Sequence, residues 1–119
     1  MSPPSATVAG MRIQDIDERL EAAFDALSTL QAEQRALATK AAETKVAHET
    51  ALARQMLRAR DRGLAVEAAK ATALDACEDS HLAMVLAESD LRVNRSTITT
   101  LTTQVDILRT MAASHRSVF

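Results

Sequence analysis

This chain of 119 residues contains no tryptophan and no tyrosine, and only two phenylalanines. Globular cores normally take much of their volume from aromatic rings, so a core of that kind is excluded. Glycine and proline occur twice each, which leaves little of the turn chemistry that a multi-stranded β-protein needs. The one cysteine, Cys77, has no partner for an internal disulfide and predicts a reducing compartment. No apolar run approaches the ~20 residues that span a bilayer. The opening Met1-Ser-Pro-Pro-Ser-Ala-Thr-Val-Ala-Gly10 lacks the basic-then-apolar layout of a secretory signal. A formal net charge of −2 supplies no global attraction to nucleic acid or an anionic membrane. These absences predict a cytoplasmic chain that avoids membranes, with residues 1–10 as a disordered tail.

What is present is helix-forming. The 47% of hydrophobic residues is mostly alanine, leucine, valine, isoleucine and methionine, a composition that predicts an all-α fold with narrow helix–helix seams. Two heptad ladders run through it. The first is Ile13, Ile16, Leu20, Ala23, Leu27, Leu30, Gln34, Leu37, Ala41, Thr44, His48, Ala51. The second is Ala73, Cys77, Ser80, Met84, Ala87, Leu91, Asn94, Ile98, Leu101, Val105, Leu108, Ala112, His115. Steps alternating between three and four keep one seam of an α-helix turned to a partner.

The ladders are out of phase. Counting the first onward from Ala51 lands on Gln55, Arg58 and Arg62, which form no apolar seam. Gly63 lies between the two, where glycine suits the left-handed position just past a helix end. The chain is therefore expected to form a long antiparallel two-helix hairpin, a coiled coil over residues 11–116, with a single unbroken helix as the alternative, since a lone glycine costs only ~1 kcal/mol in a helix interior. Helix one covers about 11–61, the turn 62–64 and helix two 65–116, with 117–119 as the C-terminal end. Asp15 with Glu18 resembles a capping pair, with a start just after Gly10 as the alternative. The ladder is weakest over Lys45–Leu74, where an extra bend or break is expected.

One register matches the polar interruptions. Pairing residues whose numbers sum to 128 sets Leu20 against Leu108, Leu27 against Leu101 and Leu37 against Leu91. Gln34 then faces Asn94, and His48 faces Ser80. A slip of one heptad would press these amides onto leucine and leave polar groups buried unpaired, at ~1–3 kcal/mol each. Gln34, Asn94, His48 and Ser80 are thus read as residues that set register and partner choice. Phe24, Val85, Val93, Ile107 and Met111 lie beside the seam. They widen the apolar face as a bundle helix requires, and predict a homodimer forming a four-helix bundle, or a hairpin that completes itself on a different partner.

Chemistry is sparse. His48, His81 and His115 stand 33 and 34 positions apart. Cys77 and His81, at i and i+4, could offer at most two zinc ligands where three or four are needed. No phosphate-binding loop, nucleophile elbow or paired-acid motif occurs. No catalytic residue, metal or cofactor is assigned, and the chain is read as non-enzymatic. Arg54, Arg58, Arg60 and Arg62 gather at the expected hairpin tip, and Arg54, Arg58 and Arg62 recur every four residues. Such a stripe could hold phosphates without sequence preference, although no aromatic is there to stack on bases.

Ala87-Glu88-x-x-Leu91-Arg92, then Leu101-x-x-Gln104-x-Asp106-Ile107-Leu108-Arg109-Thr110, closing with Ser114-x-Arg116, resembles small helical proteins of tailed bacteriophages and prophages. Those proteins are encoded near early recombination and replication genes. The resemblance covers about the last thirty residues and reaches loosely back to Ala68. It implies an accessory protein in the bacterial host cytoplasm that partners a DNA-metabolism protein. Two other readings stand beside it: a weak nucleic-acid binder using the arginine tip, and a structural component of a virion or assembly. The helical-hairpin secretion substrates are disfavoured because their Trp-x-Gly turn is replaced here by Asp61-Arg62-Gly63.

Overall fold

A computed structural model describes residues 12–118, and the expected tail at 1–10 lies outside them. Three α-helices account for nearly all of the described chain: α1 (Ile13–Asp61), α2 (Val66–Ala76) and α3 (Glu78–Val118). α1 opens with the Arg12 carbonyl accepting from the amides of Asp15 and Ile16, at 3.0 and 3.1 Å. Asp15 is therefore inside the first turn and not the cap. It meets the Arg12 guanidinium at 3.5 Å, on an exposed edge. Carboxylates early and cations late favour the helix dipole, and both long helices show this. α1 has Asp15 in its first turn with Arg58 and Arg60 in its last. α3 starts with Glu78 and Asp79 and ends with His115 and Arg116.

Gly63 ends α1, at φ 89°. The Leu64 amide reaches back to the Ala59 carbonyl at 3.2 Å and the Gly63 amide to the Arg60 carbonyl at 2.9 Å. This is the pair of bonds of a Schellman stop, in which the glycine takes the left-handed position that a side chain resists. Its usual apolar companion is here as well, since Leu64 is half-buried and Ala59 fully buried. The Arg60 guanidinium adds a bond to the Leu64 carbonyl at 3.1 Å. Ala65 then takes extended backbone, and α2 begins without a side-chain cap.

The single second helix expected over 65–116 is interrupted at Cys77, beyond the stretch Lys45–Leu74 where a break was expected. Cys77 has φ −110° and ψ 22°, and its amide bonds the Leu74 carbonyl, three residues back. One turn is thus tightened to a 3₁₀ bond. The Ser80 hydroxyl donates to the Cys77 carbonyl at 3.0 Å, the kind of back-bond that bends helices.

Two compact units divide the chain: one of residues 12–32 with 95–118, the other of residues 33–94. In the first, Ile16, Leu108 and Ala112 form a buried cluster, with Leu20 and Met111 packed against it. Ile16 and Ala112 sum to 128, as do Leu20 and Leu108, so α1 and α3 pair antiparallel in the expected register. In the second, His48 bonds Ser80, again on that sum. Every residue of both ladders is buried or half-buried except Ile13.

The seam of the second unit continues past the first ladder through residues outside it. Leu52 and Met56 are half-buried and Ala59 is fully buried, while Arg58 and Arg62 are exposed. The steps from His48 through Leu52 and Gln55 to Ala59 are four, three and four, an eleven-residue repeat that replaces the heptad. Across the turn the buried residues are Ala69 and Ala73, and Ala69 stands to Ala59 in the same register.

Candidate functional site

The most organised polar chemistry sits in the unit of residues 33–94, where α1 passes the interruption at Cys77. His48 is buried at 8% exposure, and its Nδ1 lies 2.9 Å from Ser80 Oγ. Ser80 has one hydroxyl proton, and that proton goes to the Cys77 carbonyl. Nδ1 is then assigned as the donor to Ser80 Oγ, so the His48 ring carries a proton on Nδ1. The His81 ring lies beside it, with centroids 5.2 Å apart and planes tilted by 56°. Cys77 is buried as expected. Among the described residues no group of three His, Cys, Asp or Glu side chains is placed to hold a metal ion.

This arrangement is a clamp. It joins α1 to the bent start of α3 through a directional bond between side chains, set in a seam rich in alanine and leucine. Removing the hydroxyl by Ser80→Ala should destabilise the fold by about 1–3 kcal/mol, because the buried Nδ1–H loses its acceptor. Urea denaturation measures the loss, and the ¹⁵N shifts of His48 should move toward a mixture of tautomers. Unchanged shifts and an unchanged midpoint would show that no clamp exists.

The second amide layer is less exposed on one side than the other. Asn94 is buried at 5% exposure, with its Oδ1 placed where no donor reaches it, and Gln34 is half-buried. Thr44, also on the ladder, satisfies its own hydroxyl by donating to the Lys40 and Ala41 carbonyls. Its hydroxyl therefore needs no partner across the seam.

No protein-family model matches the chain, and comparison with curated proteins and with solved structures finds no similar protein. Function rests on what the geometry can do.

Arg54, Arg58, Arg60 and Arg62 are all exposed. Arg60 is bound into the turn through Leu64, so its guanidinium has a structural task. The five residues read as one oligomer interface do not form one surface. In the unit of residues 12–32 with 95–118, Ile107 and Met111 line an open groove of about 440 Å³ with Arg19, Ala22, Ala26 and Gln104. Phe24 is outside that lining and lies under the Arg109 guanidinium, 5.3 Å from its ring centroid. Met111 is in addition packed against the buried cluster. Heptad positions on α3 divide the others likewise: Val93 falls with Ile107, two heptads apart, and Val85 falls toward the charged side. No described helix is long and apolar enough to cross a membrane.

Proposed function

We propose that this chain is a non-enzymatic interaction protein that works by presenting helix faces, first to a second copy of itself in a four-helix bundle and then to another protein. The observation that carries this reading is aliphatic surface left outside the seam: Leu82, Leu86, Val93 and Ile107 on α3 are each more than half exposed. Exposed apolar side chains gathered on one element mark an association surface. The seam itself is filled by alanines, leucines and the register-setting residues, and the groove beside Ile107 is wide open to solvent, as suits a helix more than an enclosed small substrate. The resemblance read in the last thirty residues to helical phage proteins would place its work in the host cytoplasm, beside proteins of DNA replication or recombination. Sedimentation of the purified chain across a concentration series tests self-association, and a dimer is the expected species. A monomer at every concentration would overturn it.

The second reading, phosphate contact through Arg54, Arg58 and Arg62, is favoured by their exposure and by the absence of an ion pair to any of them among the described residues. Retention on DNA that falls steeply with salt, and is lost in the triple alanine variant, would establish it in place of the first.

A further inference from the structure

α3 sorts its charges by side. Between Leu82 and Ser114 its charged residues are Glu88, Asp90, Arg92, Arg95, Asp106 and Arg109. At ~100° per residue, Glu88, Arg95, Asp106 and Arg109 fall on the side where Arg109 meets Phe24. The opposite side, centred on the stripe Leu86, Val93, Thr100 and Ile107, has no charge within its central third of the circumference. Asp90 and Arg92 mark its two edges.

The threonines on this stripe and along its Arg92 edge are less polar than their type suggests. Thr100 donates its hydroxyl to the Ser96 carbonyl at 3.1 Å, Thr103 to Thr99 at 3.1 Å and Thr110 to Asp106 at 3.0 Å. With the hydroxyl proton bound to its own helix, each presents a methyl group outward. Covering such a residue strands no donor, so the usual desolvation penalty of a buried hydroxyl is avoided.

We infer that this face of α3 packs antiparallel against the same face of α3 in a second copy, about a two-fold axis near residue 98. The inference rests on the self-association proposed above and specifies where it occurs. Charge selects the register. Pairing α3 residues whose numbers sum to 196 sets Val93 against Thr103 of the partner subunit, Leu86 against the partner's Thr110 and Ile107 against the partner's Ser89, so no charge enters the layers. In an antiparallel pair of this register the flanking positions bring Arg92 opposite the partner's Asp106, and by symmetry Asp106 opposite the partner's Arg92. On the other edge Asp90 meets the partner's Gln104. Arg92 and Asp106 have no ion pair within their own chain among the described residues, so both are available.

Analytical ultracentrifugation of the full chain and four variants tests the interface, with circular dichroism confirming retained helix in each. Thr100→Glu sets two carboxylates near the axis and should weaken the dimer at least about tenfold. Arg92→Asp and Asp106→Arg each set like charges together twice and should weaken it by about tenfold. The double exchange Arg92→Asp with Asp106→Arg restores opposite charge and should return the affinity to within about threefold of the original. A wild-type dimer indifferent to Thr100→Glu and to both single exchanges would overturn this interface and leave self-association standing. A wild-type monomer would overturn both.

Discussion

Ile16→Ala should lower the stability of this protein by about 2–4 kcal/mol, more than any other single truncation in the unit of residues 12–32 with 95–118. Ile16 is the largest fully buried side chain among the described residues. It packs with Leu108 and Ala112, and Leu20 and Met111 close around them. Most of the remaining seam is alanine or half-buried leucine, so little other apolar volume is available to compensate. Folded domains hold only about 5–15 kcal/mol in reserve, and a loss of this size should be evident in the urea midpoint. The cavity would lie one turn inside the start of α1, at Ile13. Hydrogen exchange should therefore show residues 13–20 and 108–115 losing protection before residues 33–94. A midpoint shift below about 1 kcal/mol would mean that the ends already fray past Ile16 and that the cluster adds little.

Gln34→Leu combined with Asn94→Leu should act in the opposite direction. Asn94 is buried at 5% exposure, Gln34 is half-buried, and the two positions share a layer in the register that sums to 128. Replacing buried amides by leucine in a helix seam removes a desolvation penalty and adds apolar area, so a gain of about 1–3 kcal/mol is expected. The gain should come with reduced uniqueness. With the amide layer gone, a slip by one heptad no longer sets amides against leucine. The double variant should melt higher than the original and show additional sets of amide resonances. Lower stability with a single set of resonances would mean that the amides hold the helices together without selecting how they align.

The contrast with His48 and Ser80 bears on how much was legible in the sequence. Two ladders with matched polar gaps were enough to place His48 opposite Ser80, because a hydroxyl and an imidazole at one layer can satisfy each other. The same pattern could not show that Ser80 gives its proton to Cys77 and accepts from Nδ1, since that depends on a bend of which the sequence bears no mark. No glycine or proline lies at Cys77, and the interruption arises from one tightened backbone bond. Ala59 and Ala69 escaped notice for a different reason. A strict heptad count predicts arginine at 58 and 62, whereas a straight α-helix has 3.6 residues per turn and lets the seam drift. Leu52, Met56 and Ala59 were the available signal. They are apolar residues at steps of four and three along the drifted line, and the last of them is small enough to let the backbones approach near the turn. Phe24 and Ile107 were grouped by their lying off the seam, but a seam has two sides. Only the contact with Arg109 shows which side Phe24 takes.

The Schellman stop at Gly63 also bears on how the chain finds its fold. Ala59 and Ala69, the buried pair nearest the turn, are separated by few enough residues that bringing them together closes only a short loop, while Ile16 and Ala112 lie almost the whole described chain apart. Once the turn is set, each successive layer adds only a small increment to a loop already closed, so no step requires a long segment to be gathered at once. Folding should therefore run as a zipper from Gly63 outward, fast for the chain's length. Substitutions near the turn would slow the forward rate, and those near Ile16 would mainly hasten unfolding.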